Sequence, residues 1–206
     1  MNSSADAPAN PTDDGVQTAQ LAVNGRRLLG RLAELARIGA IEGTYGCARL
    51  ALTPEDGLAR DLVTAWMHDL GMEVSVAGIG NVVAVMAGAT DMAPVMTGSH
   101  IDTVRTGGRY DGNLGVLAGL EVVETLLEAG VTPQRPIAVS FFTDEEGARF
   151  APDMLGSLVY VGDMSLEEAL DVVAIDGAVL GEELESIGYS GTAPCPGPAP
   201  HSVVDL

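Results

Sequence analysis

Lysine is absent from this sequence: its 10 basic residues are all arginines, and they stand against 29 acidic residues. The formal net charge of −19 leaves too few positive side chains for a surface that neutralises phosphates, which argues against nucleic acid as a partner. The use of arginine for every basic residue fits a genome rich in G and C, or adaptation to salt. The acidic surface needs no ligand to explain it, because excess negative charge favours solubility.

Cysteines and long hydrophobic runs are also scarce. Cys47 and Cys195 are too few and too far apart for a disulfide framework or a zinc knuckle, so we expect a reducing cytoplasm. No apolar run is long enough to cross a bilayer, and we expect no membrane partner. Residues 1–20 have neither a basic start nor an apolar stretch, and they predict a disordered leader rather than a signal peptide.

The remaining chain is rich enough in apolar residues, 47% of the whole, to form a sizeable core. Apolar residues recur at helical spacing from Leu28 to Ile38, and Gly39 is placed to end that helix. The run 53–56 (TPED) predicts the start of a second helix, with an N-cap, a proline and two acidic residues. A long helix is predicted from Leu114 to Ala129, and Ser165 with Glu168 predicts a capping box.

The strands are predicted at 73–77, 82–87, 94–97 and 136–143, with a further one beginning at 203. Between the first two, the run 78–81 (GIGN) suits a hairpin turn. It also resembles the start of a dinucleotide-binding loop, but Val83 stands where the third glycine of that motif belongs. Strands that alternate with helices of this length predict an α/β fold with a buried sheet.

Three polar clusters lie at the ends of predicted strands or in the loops that follow, where α/β proteins place their sites. His100 and Asp102 stand two residues apart, so both side chains can point to the same side. Asp111 lies between glycines just before a helix, and residues 144–146 (DEE) end the most apolar strand. Each cluster also has an ordinary interpretation, namely a surface loop, a turn aspartate or a solvated acidic turn.

Taken together, the clusters favour a metal site. His100, Asp111 and Glu146 supply one nitrogen and two oxygen ligands, a mixture that suits Zn, Mn, Co or Ni. A carboxylate can bridge two ions about 4 Å apart, which would leave Glu145 free to act as a base. Spacing alone does not assign these roles.

The three motifs resemble one known family in their order and spacing. They are 98–104 (GSHIDTV), 107–116 (GGRYDGNLGV) and 143–150 (TDEEGARF). Together they resemble the hydantoinase/carbamoylase branch of the aminoacylase–carboxypeptidase metallohydrolases. The resemblance runs from about residue 23 to residue 189. Within the branch, the sequence is more similar to N-carbamoyl-L-amino-acid hydrolases and β-ureidopropionases than to allantoate amidohydrolases.

The resemblance implies a mixed central sheet with helices on both faces, as in di-metal aminopeptidase-like catalytic domains. It implies two divalent ions, with His100 a ligand of one, Glu146 a ligand of the other and Asp111 the bridge between them. Asp102 would orient His100, and Glu145 would be the general base that activates a bridging water. The implied substrate is a small N-carbamoyl or amide compound, whose linear C–N bond is hydrolysed.

In one respect the sequence departs from the family. Its members are about twice as long, with an inserted domain that mediates dimerisation and with further histidine ligands beyond the position of Leu206. His201 lies in a proline-rich loop, and His68 falls in the middle of a predicted helix, so neither replaces those ligands well. We therefore expect residues 21–206 to be the N-terminal part of a catalytic domain whose complete form is a homodimer.

Two alternatives to this function stay open on sequence grounds. A peptidase or deacylase of the same superfamily would share the metal ligands and differ in substrate residues that lie outside this chain. A non-catalytic remnant would keep the motifs without binding metal.

Overall fold

The computed structural model describes residues 21–204, so the leader predicted for residues 1–20 lies outside the described part. Along the chain the order is two helices, three strands, a helix, a strand, three helices and a last strand, so the predicted alternation is present only around α3. The helices are α1 (Gly25–Leu35), α2 (Pro54–Asp69), α3 (Asn113–Glu128), α4 (Leu155–Val161), α5 (Leu166–Leu170) and α6 (Leu180–Ser186). The strands are β1 (Glu73–Val76), β2 (Val82–Met86), β3 (Val95–His100), β4 (Ile137–Phe142) and β5 (Ser202–Val204). No helix in this range is long and apolar enough to cross a bilayer.

The strands form one mixed five-stranded sheet in the order β1-β2-β4-β3-β5. β1 and β2 form an antiparallel hairpin, and β2 pairs antiparallel with β4. β3 is parallel to both β4 and β5. The hairpin confirms the turn predicted at 78–81 and excludes a dinucleotide-binding loop, because a strand and not a helix follows the glycines.

Helices cover both faces of the sheet, as the α/β prediction requires. On one face, Gly119 of α3 packs closely on Val139 of β4, and Arg60 of α2 lies over the ring of Phe141. On the other face, the ring of Phe142 makes an edge-to-face contact with Tyr160 of α4. Neighbouring residues of a strand point to opposite faces, so α2 and α4 lie on opposite sides of β4.

Two elements differ from their predicted bounds by more than one residue. α1 ends at Leu35, and turns carry the chain to Gly39, whose positive φ of 78° and close approach to the carbonyl of Ala48 suit glycine. β3 runs on to His100 instead of ending at Thr97, because β4 beside it continues to Phe142 and supplies backbone partners over this length. His100 is therefore the last residue of a strand rather than part of a loop.

Candidate metal centre

The carboxyl ends of β3 and β4 bring two of the three polar clusters together. The strands are parallel, and His100 pairs in register with Phe142, two residues before Asp144. The acidic run 144–146 therefore emerges beside His100, although His100 and Asp144 are 44 positions apart in the sequence. This placement follows from the parallel pairing and the helix that connects the strands.

His100, Glu145 and Glu146 bring three side chains that are able to bind a metal close together. One ligand atom from each side chain lies within 4.8 Å of the others, and His100 Nε2 is 3.2 Å from Glu145 Oε2. One nitrogen and two carboxylate oxygens are a donor set that suits a divalent transition metal or zinc. The histidine is buried, whereas the side chain of Glu145 is 36% exposed, so the cluster opens to solvent on its glutamate side.

The orientation of His100 is fixed by the backbone of Asp102. Nδ1 of the imidazole lies 3.0 Å from the carbonyl oxygen of Asp102. A carbonyl oxygen can only accept, so Nδ1 is the donor of this contact, and Nε2 is the ring nitrogen that faces the cluster. The carboxylate of Asp102 is farther away, at 3.7 Å, and its two oxygens accept from the backbone N–H groups of Glu145 and Glu146, each at 3.4 Å.

Asp111 is placed next to this cluster but not within it. Its side chain is exposed, and it is not one of the three residues whose ligand atoms converge. Its loop nevertheless touches the histidine, because a Cβ at Gly112 would collide with the imidazole of His100 and φ at Gly112 is +62°. The charge of Asp111 also helps to raise the pKa of Glu146, after burial of that carboxyl. The bridging role of Asp111 stays a prediction.

The buried carboxyl groups beside the cluster, Asp102 and Asp144, have raised pKa values, because the nearby positive charges do not offset the cost of burial. Burial, and then the charge of Asp56, raises the pKa of Asp102 to about 6, although His100 and Arg60 oppose this. Burial, and then the charge of Asp102, raises the pKa of Asp144 to about 8, although the backbone N–H of Phe150 and the charge of Arg149 oppose this. Such a concentration of carboxyls fits a bound cation, which would stabilise their ionised forms.

The other two histidines lie apart from the cluster. His68 is exposed on α2, as expected of a solvated side chain. His201 is also exposed, just before β5, and its backbone N–H donates to the carbonyl of Pro94. Neither belongs to the group of converging ligands.

Comparison with known proteins gives the same family as the motifs. Residues 96–193 match the profile of Peptidase family M20/M25/M40. The N-carbamoyl-L-amino-acid amidohydrolase of Rhizobium meliloti is 43% identical over 171 residues, which are 82% of this chain and 41% of that protein. A solved hydantoinase/carbamoylase family amidase from Burkholderia ambifaria is 48% identical, with a TM-score of 0.86 over 89% of this chain and 45% of its own. The chain belongs to this hydantoinase/carbamoylase family.

Less similar relatives have names that refer to related compounds. The ureidoglycolate hydrolase of Arabidopsis thaliana is 36% identical over 145 residues, 69% of this chain and 30% of that protein. Hydrolases of the M20 family are generally metal-dependent, and the ligand cluster found here agrees with that property. The chain spans about two fifths of the length of the curated relatives that it matches.

The sequence did not predict several buried polar residues that contact Thr143 and so support the acidic run 144–146. Arg60 pairs with Asp56 at 2.8 Å, and its Nη2 donates to Thr143 Oγ1 at 3.3 Å, just before the acidic run. Asn81 accepts from the backbone N–H of Thr143 at 3.0 Å and donates to the carbonyl of Gly156 at 2.8 Å. The i, i+4 spacing of Asp56 and Arg60 was the available signal, but such a pair usually marks a solvated helix face.

Proposed function

We propose that this chain carries metal ligands and the general base of an amidohydrolase that cleaves the C–N bond of a linear ureido or amide substrate. The substrate we favour is an N-carbamoyl-L-amino acid or N-carbamoyl-β-alanine. The observation that carries the proposal is the convergence of His100, Glu145 and Glu146 at the carboxyl ends of β3 and β4. The names of the relatives support the choice of substrate.

His100 and Glu146 are the residues that would hold metal, together with Asp111 from the adjoining loop. We propose two divalent ions, zinc or else manganese, cobalt or nickel, because the donors are imidazole and carboxylate. When bound, such ions polarise a carbonyl group and acidify water. The hydrogen bond to the Asp102 carbonyl suits the proposal, since it leaves Nε2 of His100 free to bind.

Glu145 is the residue that we propose to move the proton. Its carboxylate lies at the solvent side of the cluster, where it can accept a proton from the water that attacks the carbamoyl carbon. When the C–N bond breaks, the same carboxyl group returns the proton to the leaving nitrogen. Asp102 keeps the two glutamates in place by accepting from both of their backbone N–H groups.

For the complete protein we propose a cytoplasmic homodimer that acts on a small molecule. The cytoplasmic location rests on the two free cysteines, Cys47 and Cys195, which fit a reducing compartment. The homodimer rests on the family resemblance alone.

Cobalt titration of the purified chain and its variants tests the metal site. His100→Ala should mainly weaken the binding of one ion, whereas Asp111→Ala should weaken both if it bridges them. Equal losses from the two variants, in folded protein, would contradict the bridge. A folded chain that binds no divalent ion would contradict the metal site and favour the non-catalytic alternative.

The metal ligands and the base are tested in a fusion that places this chain before the C-terminal part of its Rhizobium meliloti relative. We expect the fusion to hydrolyse N-carbamoyl-L-amino acids, and a folded fusion without activity would contradict the proposed roles. The substrate is tested in the complete protein with its own C-terminal part, because the residues that select the substrate lie outside this chain. Faster cleavage of a dipeptide than of an N-carbamoyl-L-amino acid by that protein would replace the proposed substrate by the peptidase alternative.

A further inference from the structure

Arg49 is a fully buried arginine whose guanidinium contacts only uncharged acceptors among the residues that the structure describes. Its Nε donates to the carbonyl of Ile101 at 2.8 Å, and Nη1 donates to the carbonyl of Ile38 at 2.8 Å. Nη2 donates to the side-chain oxygen of Asn113 at 2.9 Å. Nη1 also lies 3.2 Å from the sulfur of Cys47 and 3.4 Å from the carbonyl of Leu35.

Burial of this cation is costly. A guanidinium that leaves water without a carboxylate partner loses solvation that neutral acceptors replace only in part. An apolar side chain could fill the same space more cheaply. A guanidinium can, however, do what an apolar group cannot, because its planar donors bind acceptors in several directions at once. The contacts that it makes should therefore explain its presence.

Two of these contacts are with residues that stand one or two positions from predicted metal ligands. Ile101 stands between His100 and Asp102. Asn113 begins α3 and follows Asp111 by two residues, and its backbone N–H donates to the carbonyl of Asp111 at 2.6 Å. The side chain of Arg49 thus connects the end of β3 to the start of α3, which are separated in the chain by the loop 101–112.

The backbone around Arg49 strengthens the link to the first of these loops. Thr103 donates its backbone N–H to the carbonyl of Arg49 at 2.8 Å, and its hydroxyl accepts from the N–H of Arg49 at 2.8 Å. The loop after His100 is therefore tied to residue 49 through both main chain and side chain.

We propose that Arg49, acting through Asn113, is a positioning residue that sets the placement of the Asp111 loop relative to His100. The inference rests on the proposed metal site and goes beyond it, since it assigns the control of ligand geometry to a residue that touches no metal. Gly112 lies so close to the imidazole of His100 that a Cβ would collide with the ring, so a shift of α3 relative to Ile101 would change how this loop meets the ring.

The test compares Asn113→Ala with Asn113→Asp, because the aspartate keeps an acceptor for Arg49 and the alanine does not. We expect Asn113→Ala to bind cobalt about tenfold more weakly or worse and to change the visible spectrum of the cobalt-loaded chain. Asn113→Asp should bind as tightly as the unsubstituted chain or more tightly, with an unchanged spectrum. Arg49→Lys, whose single nitrogen cannot reach all the acceptors, should resemble Asn113→Ala.

Arg27→Met is the matched control, because Arg27 contacts Glu121 and Glu124 in the second half of α3, away from Asn113. It should lower the unfolding midpoint and leave cobalt affinity unchanged. If Asn113→Ala binds cobalt as the unsubstituted chain does, or if Arg27→Met loses as much affinity as Asn113→Ala, the positioning role is wrong.

A second measurement separates this inference from the metal site. The sequence has 3 histidines, so the ring ¹⁵N signals of the metal-free chain can be assigned by substitution. Asn113→Ala should shift the signals of His100 and leave those of His68 and His201 in place. If the His100 signals shift but neither the chain nor any variant binds cobalt, the proposed metal site is wrong, whereas the role of Arg49 and Asn113 in positioning His100 is supported. Without the shift, the inference is overturned.

Discussion

At the scale of single residues, Asp144 is the side chain whose environment conflicts most with its charge. It is buried close to Asp102, which is buried as well, and its backbone has a φ of +53°. Burial, and then the nearby Asp102, raises its pKa from 3.8 to about 8 in the folded chain. The folded chain thus keeps a proton that the unfolded chain releases above about pH 4.

This pKa shift predicts how the stability of the metal-free chain depends on pH. The contribution of Asp144 is complete below about pH 4 and is lost as the pH rises to about 8. Asp144→Asn imitates the protonated carboxyl at every pH, and asparagine tolerates a positive φ. Between about pH 5.5 and about pH 8, the free energy of unfolding of the unsubstituted chain should fall by about 1–3 kcal/mol more than that of Asp144→Asn.

Denaturant unfolding in the presence of a chelator measures this difference. Asp91→Asn, which changes an exposed aspartate between β2 and β3, is the matched control and should leave the pH dependence unaltered. Parallel pH curves for Asp144→Asn and the unsubstituted chain would show that Asp144 is ionised in the fold.

Glu145 and Glu146 are neighbours with different predicted roles, and isosteric amides separate them. Glu146→Gln should weaken cobalt binding, because it removes a charged ligand. Glu145→Gln should bind cobalt nearly as before, yet lower kcat in the fusion protein about 10²–10⁴-fold, because an amide cannot accept the proton. Cobalt affinity and kcat are measured for both variants. If only Glu145→Gln loses cobalt binding, Glu145 is the metal ligand and Glu146 becomes the candidate base.

The sequence predicts the residues of this site better than it predicts their supports. His100, Glu145 and Glu146 stand out because polar groups at the ends of apolar strands are conspicuous. Arg49 and Asn81 do not stand out, since a single arginine or asparagine outside a pattern usually contacts solvent. Their partners are mostly backbone groups distant in sequence, which no spacing rule reveals.

At the scale of elements, the starts of the capped helices α2 and α5 are predicted well because their signals are local. Thr53 caps α2 by accepting from the backbone N–H of Asp56 at 3.3 Å, and Pro54 is the first helical residue. Ser165 and Glu168 form the predicted capping box of α5. The length of β3 was underestimated, because it depends on β4, which lies some 40 residues later in the sequence.

The cap of α2 gives a direct test at this scale. Thr53→Ala removes the acceptor for the N–H of Asp56 and should lower the free energy of unfolding by about 1 kcal/mol. Thr53→Ser retains the hydroxyl and should cost less. Urea unfolding of the two variants measures the difference, and equal losses would mean that the methyl group of Thr53, rather than its hydroxyl, is what stabilises the helix.

At the scale of the whole molecule, the strand order could not be read from the sequence. Placing β4 between β2 and β3 requires long-range pairing that leaves no local trace. That order nevertheless creates the site, because it sets the ends of β3 and β4 side by side. It also leaves β5 paired on one side, to β3, with Val203 68% and Val204 44% exposed. A short apolar strand in this position favours association with other chains.

The last prediction is that the 206-residue chain alone has little or no amidohydrolase activity. Its predicted ligands are His100, Asp111 and Glu146, so each of two ions would have two protein ligands, one of them shared. Zinc in catalytic sites usually has three protein ligands, so we expect weak binding and a poorly placed water.

The purified chain should be assayed on N-carbamoyl-L-amino acids with added zinc, manganese or cobalt, beside the fusion protein. We expect less than about 1% of the turnover of the fusion, whereas a kcat of about 1 s⁻¹ or more would show that the chain completes its own site. In that event, loss of activity in His201→Ala would identify this histidine as the missing ligand.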